Sequence, residues 1–400
     1  MRLRPVFATL LCLLAGNACA QLLPGGAALP QLPVGGLVGD TLHTVDDTTR
    51  APLADLRKLR IDRLLRSERA RVDVDPNGDP VLRGEFLLMD ADDATLAAVQ
   101  AAGFTIARQG DDTLGLGLVV ARDTRQRSAT AAMRALQQVA PKAQVAFEHL
   151  YLPAGTATDS SMPAAASAGD ANLRIGLIDG GVDARDPAFA HLQVQPHGCA
   201  STAKPDAHGT AVARRLAGGA RGTLYAADLW CGDTVGRATL GLVDALAWMA
   251  RERVPVINIS LVGPDNPVLA RAVAALVARG HVLVAAVGND GPAAPPLYPA
   301  SYAGVIGVSG VDGKLRALPE AASGPQVDFV ASGLDGDGRH ALRGTSFAAP
   351  IVARLAASRV QAPAPGAAAQ VQAALAAQAR DLGAPGRDPR YGDGLVGASP

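Results

Sequence analysis

Four segments of the chain carry side chains able to do acyl-transfer chemistry, and each is ambiguous alone. Ile175-Gly176-Leu177-Ile178-Asp179-Gly180-Gly181-Val182-Asp183 is an apolar run ending in a carboxylate and two glycines. A carboxylate at a strand end can orient a histidine, bind a metal or cap a turn; Asp183 reads as a turn residue. His208-Gly209-Thr210 opens a helical stretch, Ala211 to Leu216. A helix start is the positive end of the backbone dipole, which disfavours imidazolium and suits a neutral base, although an ordinary loop or capping histidine fits the same place. Val284-Ala285-Ala286-Val287-Gly288-Asn289-Asp290-Gly291 ends a strand in a side-chain amide. Such an amide can donate to a developing oxyanion or simply make a turn. Gly344-Thr345-Ser346-Phe347-Ala348-Ala349-Pro350 leads a serine through small residues into a helix. The hydroxyl can be a nucleophile beside free helix N–H groups, or a plain N-cap.

The elements that must position these residues follow from the apolar pattern. The chain has 400 residues, 48% hydrophobic and 18% charged, enough for a sizeable core in two or three units. Over residues 171–400, short apolar strands alternate with helices. The strands are Arg174 to Ile178, Leu224 to Leu229, Val254 to Ile259, Val282 to Ala286, Val305 to Val308 and Val327 to Ala331; the helices include Thr239 to Glu252 and Pro267 to Ala278. Near-continuous apolar strands with helical crossovers predict an α/β unit, a mostly parallel sheet with helices on both faces. Chemistry in such sheets gathers where strands end, and the candidate residues sit there.

Residues 81–152 show a different order. Val81 to Met89, Phe104 to Arg108, Leu114 to Ala121 and Ala143 to Leu152 read as strands, with helices at Ala94 to Ala102 and Ser128 to Val139. That βαββαβ order predicts a small α+β, ferredoxin-like unit. Residues 21–80 form a leader with a helical stretch over 47–72, where Leu53, Leu56, Leu59 and Leu64 fall near helical spacing. Asp75-Pro76-Asn77-Gly78-Asp79-Pro80 is a dense turn signal. Residues 153–170 are rich in Ala, Ser, Gly and Thr, a linker easily exposed and cut.

Residues 1–20 have the layout of an export signal: Arg2 and Arg4, an apolar run too short to span a bilayer, then Ala18-Cys19-Ala20. No later run is long and apolar enough to be a transmembrane helix. Cys199 and Cys231 remain after that signal, and an oxidising compartment favours a bridge between them over two buried thiols. Neither lies in a C-x-x-C pair of the kind that binds metal. Lys plus Arg and Asp plus Glu both number 37, so no basic field points to nucleic acid.

The set is less ambiguous than its parts. Asp, His and Ser occur in the chain order of subtilisin-type triads, with Asn289 between the last two. From about Leu173 onward the chain resembles the subtilisin-like serine peptidases (S8). The resemblance extends to Val256-Ile257-Asn258-Ile259-Ser260-Leu261, Tyr298-Pro299-Ala300-Ser301-Tyr302 and Tyr391-Gly392-Asp393-Gly394-Leu395. It implies that Ser346 is the nucleophile, His208 its base, Asp179 the residue that holds the imidazole, and Asn289 an oxyanion donor. It implies an extended protein or peptide substrate, with Ser260, Leu261 and Val262 on one side of the groove and Ala285, Ala286 and Val287 on the other. Gly232 to Gly236 would be the outer edge strand. No cofactor is needed; structural calcium is frequent in the family, but no acidic cluster matches such a site, and Asp335 and Asp337 read as loop residues. Residues 81–152 match the family's propeptide in order, an intramolecular inhibitor removed by a cut between Pro153 and Asp170. The implied product is an exported monomeric endopeptidase.

The sequence also departs from the family pattern. Ala211 stands where a second histidine is common, Gly181 shifts the Asp-x-Gly motif, Val262 stands where glycine is common and narrows the groove, and the loop Pro292 to Leu297 is short and Pro-rich. Two other functions fit the same fold: a silent binding protein, and an esterase using the same residues. The G-x-S-x-G elbow of α/β-hydrolases is absent at Ser346.

Overall fold

The computed structural model describes residues 57–108, 112–154, 172–199, 204–335 and 342–397. The signal at 1–20, the leader up to residue 56 and the linker from residue 155 lie outside the described residues. Residues 57–67 form helix α1. Five strands follow: β1 (Val72–Val74), β2 (Pro80–Met89), β3 (Phe104–Arg108), β4 (Val119–Asp123) and β5 (Gln144–His149). Helix α2 (Asp93–Ala101) lies between β2 and β3, and α3 (Ala129–Val139) between β4 and β5. The strands pair antiparallel in the order β5-β2-β4-β3, with β1 also on β2, giving the expected α+β sandwich. Asp92 starts α2 by accepting the Thr95 N–H at 2.8 Å. A two-residue strand, β6 (Leu152–Pro153), ends this unit.

The apolar runs after residue 171 become a seven-stranded, all-parallel sheet. Its strands are β7 (Asn172–Asp179), β8 (Leu192–His197), β9 (Arg221–Asp228), β10 (Val256–Ile259), β12 (Val282–Ala286), β13 (Val305–Val311) and β14 (Phe329–Ser332), in the order β14-β13-β12-β10-β7-β9-β8. The short β11 (Leu261–Val262) leaves the sheet to pair antiparallel with β6. Helices α4 (Ala207–Ala217), α5 (Ala238–Arg251), α6 (Pro267–Ala278), α7 (Thr345–Ala357) and α8 (Ala367–Ala376) cover it. Strand alternation splits the core in two. Leu177, Val256, Val284 and Ala286 pack with α4, α7 and α8, while Ile178, Ile257, Leu283 and Ala285 pack with α5 and α6.

The same alternation accounts for the unbroken apolar run in β2. Phe86 and Leu88 pack beneath α2 and α3, whereas Leu87 and Met89 join the core of α5 and α6. The small sheet is therefore apolar on both faces, and one face is completed by helices of the larger unit.

Two sequence expectations are corrected, and one strand carries no sequence signal. Leu114, Leu116 and Leu118 alternate like a strand and are buried, but Gly115 and Gly117 lie at φ +69° and +53°, so this segment is irregular and the strand starts at Val119. Residues 232–236 form turns rather than an edge strand, with Gly232 and Gly236 both at φ +74°. Strand β8, one edge of the parallel sheet, was not among the expected strands, because its alternating Gln193, Gln195 and His197 give no apolar signal.

Cys199 and Cys231 are joined in a disulfide with Cα atoms 5.6 Å apart, closing a loop of 32 residues that contains His208. By chain entropy, a loop of that length stabilises the fold by about 3–4 kcal/mol. Replacing both cysteines with alanine should lower unfolding stability by about that amount, read from a lower denaturant midpoint together with a steeper slope, because the unlinked unfolded chain exposes more surface.

Candidate active site

Strand β7 delivers Asp179 at its last position, 1% exposed. The chain then turns through Gly180 and Gly181; a Cβ on Gly181 would fall 1.9 Å from the Lys204 carbonyl oxygen, so only glycine fits. Across this turn, Asp206 caps α4 by accepting the Gly209 N–H at 2.9 Å. The cap fixes the first turn of α4 and with it His208, whose ring edge rests on Phe347. His208 Nδ1 is 2.9 Å from Asp179 Oδ1, and Nε2 is 2.9 Å from Ser346 Oγ. A carboxylate only accepts, so the ring proton belongs on Nδ1 and leaves Nε2 to accept from the serine hydroxyl.

Ser346 is the second residue of α7 and is fully buried. Pro350 lacks the N–H that would close the helical bond to the Ser346 carbonyl. That carbonyl instead accepts the Ser260 hydroxyl at 3.3 Å, and Ser260 Oγ in turn accepts from Asn258 Nδ2 at 2.8 Å. The strand end beside the groove is thereby tied to the turn that carries Ser346. Asn289 follows β12, and its Oδ1 accepts the Thr345 N–H at 3.0 Å. That bond fixes the amide so that Nδ2 faces away from α7's first N–H and into the groove.

The groove is filled by the protein's own chain. Leu152 and Pro153 pair with Val262 and Leu261, and the Ala154 N–H donates to the Ser260 carbonyl at 3.1 Å. The Ala154 carbonyl oxygen accepts from the Ser346 N–H at 3.1 Å and from Asn289 Nδ2. A carbonyl is thus held by two donors beside a hydroxyl that is itself bonded to an imidazole. Such an arrangement can support nucleophilic attack and hold the resulting oxyanion.

Of the residues expected along the groove, Ser260, Leu261 and Val262 meet the bound segment. Ala286 lies in the same apolar cluster as Ala154 and Val262, while Ala285 and Val287 belong to the cluster on the other face of the sheet. Three participants escaped the sequence reading: Ala154, the cap Asp206, and Arg57. Arg57 donates to Asp290 at 2.8 Å and to Asp79 at 2.9 Å, tying α1 to the loop of Asn289. Asp206 could have been suspected, since Asp two residues before the helical His208 is a capping pattern.

Burial raises the Asp179 pKa, and its bonds to His208 and Gly180 only partly offset this. Burial also lowers the His208 pKa, but the charge and hydrogen bond of Asp179, with a smaller contribution from Asp206, raise it above the usual imidazole value. The two groups titrate together. Two groups of described residues bring three possible metal-binding atoms within 4.8 Å: Cys199, Asp228 and Cys231, and Asp179, Asp206 and His208. In the first the sulfurs are already bonded to each other; in the second Asp179 and His208 hold one another.

A model of the subtilase family matches residues 170–394, more than half of the chain. The chain belongs to the subtilase family. It is 30% identical over 252 residues to subtilisin DY of Bacillus licheniformis, covering 56% of this chain and 89% of that protein. It is also 30% identical over 244 residues to the minor extracellular protease Epr of Bacillus subtilis, but spans only 38% of its length. Among solved structures, fervidolysin from Fervidobacterium pennivorans superposes with a TM-score of 0.64 at 18% identity, over 82% of this chain and 64% of that one. The last likeness extends to the fold alone.

A base in the His208 position works only when neutral, so its function is lost as pH falls through the raised pKa. Asp206→Asn keeps a capping side chain but removes a charge that holds that pKa up. The acid limb of serine-phosphonate labelling should therefore move to lower pH in this variant, as read from labelling rate against pH.

Proposed function

We propose that this chain is the precursor of an exported serine endopeptidase that cuts itself between Ala154 and Gly155. The observation that carries this is the Ala154 carbonyl, bound by Asn289 Nδ2 and the Ser346 N–H beside the His208–Ser346 pair. In the proposed reaction, Ser346 Oγ attacks the Ala154 carbonyl carbon as its proton passes to His208 Nε2. Asn289 and the Ser346 N–H hold the oxyanion, and Asp179 stabilises the imidazolium. His208 then gives the proton to the Gly155 nitrogen as the C–N bond breaks. Water, deprotonated by His208, releases the Ala154 carboxylate and restores Ser346.

On this reading residues up to 154 act first as part of the fold and then as an inhibitor, because the cut product still fills the groove. Protein substrates would follow the same path, adding an extended segment beside β11 as β6 does. The signal-like residues 1–20 support export, and the Epr relative is named as extracellular.

The test is to express the chain without its first twenty residues and follow its size, N-terminal sequence and caseinolytic activity. The wild type should yield a fragment beginning at Gly155 and degrade casein. Ser346→Ala should stay whole and inert. Asn289→Ala should slow both reactions by about 10²–10³-fold, the range known for removing an oxyanion donor in subtilisin. A wild type that remains whole, ignores casein and fails to react with a serine-directed phosphonate would overturn the reading in favour of a silent binding protein.

A further inference from the structure

The segment lying in the groove also carries information about which substrates fit there. Ala154 is 1% exposed and shares an apolar cluster with Val262, 4% exposed, and Leu297, 3% exposed. These two side chains meet above Gly288: a Cβ placed there would lie 2.7 Å from Leu297 Cδ1 and 3.6 Å from Val262 Cγ1. Gly288 immediately precedes Asn289, whose amide holds the Ala154 carbonyl, so both side chains lie close to the bound residue. A methyl group fits, whereas a longer side chain has to displace packed neighbours.

Tyr151, three residues upstream, is held differently. Its ring lies over Gly263, where a Cβ would come within 2.5 Å of Tyr151 Cδ1. Its hydroxyl donates to the Pro264 carbonyl at 3.1 Å, and the residue is 4% exposed. Burial pushes the phenol well above its ordinary pKa, which keeps it a donor. The Gly263 backbone is itself fixed by a pair of bonds with Tyr298, at 3.0 and 2.9 Å. Gly263, Pro264 and Tyr298 all lie in the family-matched region, so this slot stays behind when the segment ending at Ala154 leaves.

We infer that the mature protease selects segments with alanine or glycine immediately before the cut and tyrosine three residues further upstream, with Val262 and Leu297 limiting the first position and the Pro264 carbonyl reading the second. The inference rests on the proposed protease function and deepens it. Selectivity at the two positions has different physical origins. An oversized side chain at the first is penalised by packing, at roughly 10–200-fold for small differences in apolar size. Phenylalanine at the second leaves a buried carbonyl without its donor, which costs about tenfold or more.

The experiment uses the wild-type enzyme matured from its full precursor and quenched peptides containing Tyr-Leu-Pro-Ala-Gly, with Ala→Phe and Tyr→Phe versions. The parent peptide should be cut after alanine. The Ala→Phe peptide should lose about 100-fold in kcat/KM, and the Tyr→Phe peptide about tenfold. Val262→Ala and Leu297→Ala should each narrow the gap between the alanine and phenylalanine peptides, with phosphonate labelling reporting that the variants are folded. Equal cleavage of all three peptides overturns the selectivity while leaving the protease function intact. So does labelling by the phosphonate with no cleavage of the parent peptide. Neither labelling nor cleavage of any substrate overturns the underlying function itself.

Discussion

Helix α7 begins inside the protein, and its first N–H groups, which no helical carbonyl can satisfy, must each find an acceptor there. The Thr345 N–H is taken by Asn289 Oδ1, the Ser346 N–H by the Ala154 carbonyl, and the Phe347 N–H by the Gly344 carbonyl at 3.1 Å. Much of the site's geometry follows from that requirement. Asn289 is oriented because one end of its amide serves the helix, so the other end must face the groove. Ser346 is presented at the helix start, where the backbone is still open. Pro350 extends the same accounting to the carbonyl side, freeing the Ser346 oxygen to bind Ser260 and lock the groove wall to the helix. On the proposed reading, once Ala154 leaves, two donors remain in a largely buried place without a partner. An unpaired buried donor is costly, so the groove retains a preference for an incoming carbonyl.

The N-terminal unit is shaped by a comparable constraint. Its sheet is apolar on both faces, and alone it would leave Leu87, Met89, Val120 and Ala146 in water. The larger unit supplies the missing cover through α5 and α6, and receives in return a cap for one helix and an anchor for the cap of the other. Glu148 accepts the Leu240 N–H at 2.8 Å in the first turn of α5. Asn266, the N-cap of α6, donates to the Phe147 carbonyl at 2.9 Å. Burial raises the Glu148 pKa well above the ordinary carboxyl value, and the bond from the Leu240 N–H only partly offsets this. Apolar cover and helix capping act at one interface, which aims β5 and then β6 along the groove.

The sequence made the larger fold legible because parallel strands buried on both faces are written as apolar runs, and the chemical residues stand at their ends. The α+β order of the first unit was legible for the same reason. What was not legible depended on partners far along the chain. Leu114, Leu116 and Leu118 have strand-like spacing, but the intervening glycines adopt left-handed backbone and the leucines pack against α5. Strand β8 is half polar, and only its pairing with β9 identifies it. Ala285 and Val287 flank Ala286 in sequence, yet strand alternation turns them to the opposite face. Arg57 and Asp290 are separated by 233 positions, and no local pattern announces their ion pair. Ala154 sits in a stretch of small residues with no intrinsic marker; its place is set by the register of β6 on β11.

That register bears on the order of events. His208 and Ser346 are 138 residues apart, and Asn289 and Ala154 are 135. In an unfolded chain these pairs meet rarely, because closing loops of that length is entropically unfavourable. They reach hydrogen-bond distance only when β7, α4, β12 and α7 are held by one sheet and β6 has docked on β11. On the proposed reading the nucleophile, base, oxyanion donors and target carbonyl are assembled by folding alone. Cleavage at Ala154 therefore follows folding rather than accompanying it, and a chain that has not completed its sheet has no means to cut itself. On the same reading, the contacts that hold the N-terminal unit in place would then resist its departure, so folding, cutting and release would be three separate steps controlled by different parts of the structure.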